Sequence, residues 1–326
     1  MAIPKPVFDP PFNVVRFSHL ECDVVDLEEA GELYRDVIGL AVSSESPRGM
    51  HLRGMEERNH HSLVLRRAQA PVARALGFKV HGKADLDRAE EFFGARGLEA
   101  DWVERSRMGR VLRVRDPWGV PLEFYAEMDR LPPTHQKYAA YKGVKPLRID
   151  HVNLFMPDVD SAVEFYAEIG FRITEYTEDP ESGRIWAAWM HRKGSVHDIA
   201  FTNGKGPRVH HIAYWVPSPL SIIDLLDIMS TSGHLEKIER GPGRHGISNA
   251  FFLYVRDADG HRTEFYCSDY LTVDPEHEPI KWDLQDPTRQ TLWGAPAPRT
   301  WFEEGMEFAG VEPVDPEFAG TPIIAP

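Results

Sequence analysis

A unit of strand, helix and further strands is written four times along this chain, and no single motif constrains the fold as much as that repetition. The first copy opens on the alternating segment Val15-Arg16-Phe17-Ser18-His19-Leu20-Glu21-Cys22-Asp23-Val24. A helix from Leu27 to Val37 follows, with Leu27, Ala30, Leu33, Tyr34 and Val37 at helical spacing and a stop at Ile38-Gly39-Leu40. The third copy reads almost the same, with Ile149 to Phe155 as strand, Val159 to Ile169 as helix and Gly170-Phe171 as stop. The second and fourth are looser. Leu76 to Val80 with a helix from Leu86 to Arg96 matches Val209 to Val216 with a helix from Pro219 to Ser230. Each half then closes through a tight turn, Asp116-Pro117-Trp118-Gly119 or Asp257-Ala258-Asp259-Gly260, into a final strand carrying Glu123 or Glu264.

These units predict an α+β architecture of four βαβββ modules in two homologous domains, residues 1–130 and 148–270. Residues 131–147, with Pro132-Pro133 and Lys142-Gly143, read as the linker. Past about Tyr270 the pattern ends. Residues 271–326 are rich in proline and carry Trp282, Trp293 and Trp301. That is too aromatic for disorder and too irregular for a third domain, so the segment is predicted to wrap the second domain and close its site.

Three predicted strands of the second half each deliver one potential metal ligand. They are Asp150-His151-Val152-Asn153, Val209-His210-His211-Ile212-Ala213 and Arg262-Thr263-Glu264-Phe265-Tyr266. Two imidazoles and a carboxylate hold non-haem Fe(II) or Mn(II) on one face and leave the opposite positions open. Any one of them alone would read as an ordinary core or surface residue; the repeat is what brings them together. Adjacent side chains on a strand face opposite ways, so only one of His210 and His211 is expected to point inward. In the first half the corresponding places fall to His19, Gly77 and Glu123. Glycine offers no donor, so the first domain reads as structural and the second as catalytic.

The formal charge of -14 argues against non-specific nucleic-acid binding, and an acidic chain that takes an anionic small molecule must concentrate Arg or His locally. Two cysteines, Cys22 and Cys267, give no disulfide framework and suit the cytoplasm. Cys267 reads as a small buried hydrophobe. No signal peptide and no membrane-length apolar run is legible, so no membrane partner is expected.

The modules and ligand strands resemble the vicinal oxygen chelate (glyoxalase-like) fold, and within it the type I extradiol catechol dioxygenases. The resemblance is carried by Asp150 to Asn153, by Ala187-Ala188-Trp189-Met190-His191-Arg192-Lys193-Gly194-Ser195-Val196-His197-Asp198 and by Pro207 to His211. It extends through Glu239-Arg240-Gly241-Pro242-Gly243-Arg244-His245-Gly246, Ser248 to Phe251 and His261 to Glu264. It implies His151, His211 and Glu264 as metal ligands, with Fe(II) as the ion, Mn(II) as the alternative and no organic cofactor. It implies His197 as the acid/base, a role an imidazole suits because it titrates near neutral pH. Tyr254 matches a phenol donor to substrate oxygen, Asn153 and His245 further donors, and Trp189 a pocket wall. A surface His197 and a half-buried packing Tyr254 are the bland alternatives. Arg240 matches the partner of a substrate carboxylate, where a planar fork fits two oxygens. A second arginine belongs in the C-terminal segment; this chain has Thr288-Arg289-Gln290, with Gln290 in the expected slot and Arg289 offset by one.

The implied activity is ring opening of a carboxylated catechol, 3,4-dihydroxyphenylacetate foremost, by O₂ to a muconate semialdehyde, in a homotetramer. The rivals are the same reaction on another catechol, a metal-dependent isomerase or thiol transferase, and a ligand-sequestering protein on the same fold.

Overall fold

The computed structural model of the protein describes residues 3–318. The first half forms one eight-stranded sheet. Its strands are β1 (Val14–Val24), β2 (Ala41–Ser46), β3 (Gly49–Arg53), β4 (Leu63–Arg67), β5 (Ala73–Val80), β6 (Ala100–Arg105), β7 (Gly109–Arg115) and β8 (Pro121–Tyr125). The second half repeats it with β9 (Arg148–Met156), β10 (Arg172–Glu178), β11 (Ile185–His191), β12 (Ile199–Asn203), β13 (Arg208–Trp215), β14 (Ile238–Arg244), β15 (Phe251–Arg256) and β16 (Arg262–Cys267). Spatial order in the first sheet is β2-β3-β4-β1-β5-β8-β7-β6. In the second it is β10-β11-β12-β9-β13-β16-β15-β14, the same permutation eight strands later. The fourfold pattern in the sequence is thus a fourfold pattern of βαβββ units, two to a sheet.

Helices α1 (Leu27–Gly31), α2 (Lys83–Gly94), α3 (Val159–Glu168) and α4 (Pro219–Thr231) supply the α element of each unit. Asp26 and Asp158 cap α1 and α3 by accepting backbone N–H groups of the first turn. The helix predicted over Leu27 to Val37 is α-helical only to Gly31; Glu32–Val37 widens into π-helical turns, which keep Leu33, Tyr34 and Val37 buried.

The Asp-x-x-Gly turns form as predicted. Asp116 accepts N–H bonds from Trp118 and Val120, Asp257 does so from Asp259 and His261, and Gly119 and Gly260 take φ of +86° and +82°. Both aspartates also receive a tyrosine from the other half: Tyr34 donates to Asp257 at 3.2 Å and Tyr166 to Asp116 at 3.1 Å. A helix of each half is thereby bonded to the closing turn of the other, and one apolar core runs through both.

The segment after β16 adds strands to the second sheet and touches the first through one bridge, from Phe308 to Ala73 of β5. Strand β17 (Ile280–Asp283) adds to β10, β18 (Trp293–Gly294) to β14, and β19 (Met306–Glu307) to β13. A single helical turn, α5 (Thr300–Glu303), sets Trp301 over the second sheet, against Tyr254 and His210.

Candidate metal centre and active site

Central strands β9, β13 and β16 lie side by side. Ala213 of β13 pairs with His151 on one side and with Glu264 on the other, and His211 pairs with Asn153. Residues two apart on a strand share a face, so His151 and Asn153 look the same way, as do His211 and Ala213. His151, His211 and Glu264 are buried with their donor atoms converging. His151 Nε2 is 3.1 Å from Glu264 Oε2, His211 Nε2 is 3.3 Å from the same oxygen, and the two Nε2 atoms are 3.4 Å apart. Donors about 2.1 Å from a common ion and at right angles lie about 3.0 Å apart, so these three fit one face of an octahedral divalent cation. Among the described residues no other group of three or more metal-binding side chains converges in this way.

Asp150 orients this set. Its Oδ2 accepts from His151 Nδ1 at 3.1 Å and from the Tyr266 hydroxyl at 2.5 Å, which leaves His151 Nε2 free for a metal. Burial pushes the Asp150 carboxyl up, but Lys193, His151 and Tyr266 outweigh it and hold the group well below the usual carboxylate range. Burial likewise opposes ionisation of Glu264, and the bonds from His151 and His211 more than compensate.

The strand alternation invoked for His210 and His211 does not hold. The β9–β13 register slips between Val209 and His211, which leaves His210 in a bulge. Both imidazoles therefore line the same cavity. They differ in engagement: His210 Nε2 meets the Trp301 carbonyl at 2.9 Å, whereas His211 Nε2 faces Glu264 and His151.

The three ligands open onto a concave cavity lined largely by aromatic and polar side chains. His151, Asn153, Trp189, His197, His211, His245, Tyr254, Glu264 and Arg289 all contribute to its wall. The ring of His197 lies 3.7 Å from that of His151, and its buried Nδ1 has no hydrogen-bond partner among the described residues. Burial, with His151 adding, drives its pKa well below the ordinary value, so the imidazole is neutral. Asn153 accepts from Thr202 through Oδ1, leaving its amide NH₂ uncommitted.

His245 and Tyr254 share a proton-counting constraint. His245 is neutral, its pKa drawn down to about 3 by burial and by Arg240, and its Nδ1–H donates to the Gln290 carbonyl. Its Nε2 is then an acceptor, 3.0 Å from the Tyr254 hydroxyl, while Glu264 Oε1 lies 2.7 Å from the same hydroxyl. One phenolic proton faces two acceptors.

The two arginines are placed differently. Arg289, on a one-turn 3₁₀ helix (Pro287–Arg289), is buried in the cavity wall over the Trp186 ring, with Nε on the Leu284 carbonyl. Arg240 is not among the lining residues. Its Nη2 donates to Gln290 O and Thr291 Oγ1, its guanidinium lies between Phe252 and Trp301, and its buried Nε and Nη1 have no hydrogen-bond partner among the described residues. Asp150, Trp186, Trp301 and Thr202 carry no role in the sequence reading. Asp150 precedes the first ligand, but alternation sends its side chain to the other face; the Trp301 signal is the aromatic tail itself.

The first half carries a disabled counterpart. His19 pairs with Gly77, and Gly77 with Glu123. By register Gly77 matches Ala213, so the place of His211 falls to Ala75 and not to Gly77, because the ligand sits two residues before the paired position. Neither residue offers a donor. Gly77 has another reason to be glycine: a Cβ there would come within 1.9 Å of the His19 ring. Glu123 is engaged by Arg105 and Arg113 instead.

Residues 148–265 match the Glyoxalase/Bleomycin resistance protein/Dioxygenase superfamily. The chain is 30% identical over 301 residues to a manganese-dependent 2,3-dihydroxybiphenyl 1,2-dioxygenase of Geobacillus genomosp. 3, covering 87% of this chain and 95% of that one. It therefore belongs to the extradiol dioxygenases of this superfamily, and it is an extradiol ring-cleaving enzyme. A metapyrocatechase of Geobacillus stearothermophilus is 27% identical over 325 residues, 94% of this chain and 98% of that one. Among solved structures, the homoprotocatechuate 2,3-dioxygenase of Brevibacterium fuscum in anaerobic complex with 3,4-dihydroxyphenylacetate superposes with a TM-score of 0.90. It is 39% identical, covering 96% of this chain and 99% of that one.

Proposed function

We propose that the protein opens the ring of a carboxylated catechol, 3,4-dihydroxyphenylacetate foremost, with O₂ as co-substrate and Fe(II) or Mn(II) held by His151, His211 and Glu264. The observation that carries the substrate class is the buried cation Arg289 in the wall of the cavity onto which the three ligands converge. Arg289 and the unpartnered Nε and Nη1 of Arg240 are the groups assigned to the substrate carboxylate. The likeness to an enzyme solved with 3,4-dihydroxyphenylacetate supports the same class.

When bound, the ion supplies Lewis-acid acidification of the catechol hydroxyls and electronic coupling between the ring and O₂. The remaining steps belong to side chains. Neutral His197, with a free Nδ1, takes a proton from the substrate and returns it as the ring opens. Tyr254 turns its one phenolic proton from Glu264 Oε1 or His245 Nε2 toward a substrate oxygen when the catechol is bound. Asn153 presents its amide, and Trp189 with Trp186 bounds the ring. The quaternary reading is a homotetramer and the compartment the cytoplasm, the latter supported by two buried free thiols; light scattering on the purified protein tests the former.

Anaerobic loading with Fe(II) or Mn(II), then catechol, then air, should give the yellow ring-fission product. A higher kcat/KM for 3,4-dihydroxyphenylacetate than for 4-methylcatechol supports the substrate class, and a preference for the uncharged catechol refutes it.

A further inference from the structure

The first half carries a separate cavity, of about 250 Å³, lined by residues that take no part in the ring-cleaving site. Five arginines line it: Arg66 from β4, Arg74 from β5, Arg105 from β6, and Arg113 and Arg115 from β7. No carboxylate is among its lining residues. The carboxylates that serve these arginines are Glu21, which pairs with Arg66 at 2.6 Å, Asp23, bonded to Arg74 Nε at 2.8 Å, and Glu123. Asp23 and Glu123 are buried beneath, with side chains 2% and 1% exposed. Five guanidiniums over three carboxylates leave an excess of two positive charges.

The pairing is also unequal. Arg105 and Arg113 both bond the same oxygen of Glu123, Oε1. Among the described residues the Arg115 side chain has no ion pair, and its guanidinium donates to the Gly119 carbonyl at 2.9 Å. The guanidiniums remain reachable, since Arg66, Arg74, Arg105 and Arg113 have side-chain exposures of 45%, 39%, 26% and 38%. In a chain of formal charge -14 this is a local inversion of sign. A concave surface focuses such a field, and planar guanidinium forks match carboxylate and phosphate oxygens.

We propose that this cavity is a binding site for a small multivalent oxyanion, a phosphate group or a molecule with two or more carboxylates. In this half Glu123 anchors Arg105 and Arg113, and the arginine cluster it helps hold is what would receive the anion.

The test uses the metal-loaded full chain. Inorganic phosphate and citrate are titrated in separate arms at ionic strength matched with chloride, following heat release and the unfolding midpoint. Saturable binding in either arm supports the site, and the arm that responds tells a phosphate ligand from a polycarboxylate. Arg115→Gln breaks no ion pair, should leave ring cleavage unchanged, and should weaken binding by about tenfold, as expected for one charge-assisted hydrogen bond. Arg113→Gln is the second variant and should weaken it likewise. Arg289→Ala should bind the anion as the parent does. No saturable response beyond chloride, unaltered affinity in both Arg113→Gln and Arg115→Gln, or loss of binding in Arg289→Ala would each overturn the proposal.

Discussion

Replacing Arg289 by alanine should convert an enzyme selective for acidic catechols into one indifferent to the acid group. Arg289 is 2% exposed, and among the described residues its guanidinium makes one hydrogen bond to protein, from Nε to the Leu284 carbonyl. Burial lowers its pKa from 12.5 to about 10, a cost to the charged form of about 3 kcal/mol at 1.36 kcal/mol per pH unit. The guanidinium therefore stays cationic at pH 7 to 8 with its desolvation uncompensated by any carboxylate in contact. A substrate carboxylate restores that loss. Removing one partner of a buried ion pair costs about 3–5 kcal/mol, or roughly 10²- to 4 × 10³-fold in kcat/KM. The assay is initial-rate formation of the yellow product from anaerobically metal-loaded enzyme, with 3,4-dihydroxyphenylacetate and 4-methylcatechol in parallel. The acid should suffer the full loss, mainly in KM, and the uncharged catechol less than about threefold. An equal fall for both substrates would refute the carboxylate role and leave Arg289 as a support for the turn at Pro287–Arg289.

Arg240→Ala should cost more broadly, lowering kcat/KM for both catechols through lost support of Gln290 and Thr291, with a larger loss for the acid; no difference between substrates would remove it from carboxylate binding. His211→Ala should abolish metal binding while His210→Ala retains near-stoichiometric metal by elemental analysis, since only His211 faces both Glu264 and His151; equal loss in both would sink the ligand assignment. His197→Phe should still bind catechol anaerobically but turn over about 10²- to 10⁴-fold more slowly, the range of general acid–base catalysis, and normal turnover at saturating O₂ would reject the role. Tyr34→Phe and Tyr166→Phe should each cost about 1–3 kcal/mol in denaturant unfolding by stranding a bond on a buried aspartate, with little change in ring cleavage; the loss of neither bond mattering would mean the halves are held by apolar packing alone.

The fold was legible because duplication multiplies a weak signal. One alternating strand is ambiguous, but His19 and His151 at the same place in two copies of one pattern, each closed by an Asp-x-x-Gly turn before a glutamate, fix both the topology and the strands that carry ligands. What stayed illegible is what depends on register and on segments far apart in sequence. A bulge changes which face a side chain takes without changing residue type, so nothing in Val209-His210-His211 announces that both imidazoles turn inward. The same limit applied to the first half, where Gly77 was matched to the ligand position and register assigns Ala75.

The reach of the C-terminal segment was equally hidden. The aromatic composition of the tail suggests a cover but names no residue, whereas the folded chain has Arg289 in the cavity wall and Arg240 tied to the carbonyl of Gln290. The glutamine in the slot where a second arginine was expected is therefore not a lost contact alone. Its backbone carbonyl accepts from Arg240 and from His245, so the residue ties these two side chains together whatever its own side chain. A side-chain change at Gln290 should accordingly be milder than truncation of the tail before Pro287. Gln290→Ala should keep at least about a third of parental kcat/KM, whereas a chain ending at Asp286 should lose ring cleavage and retain metal, because His151, His211 and Glu264 all lie on β9, β13 and β16. Loss of metal in the truncated chain would show that the tail builds the ligand set and does more than cover it.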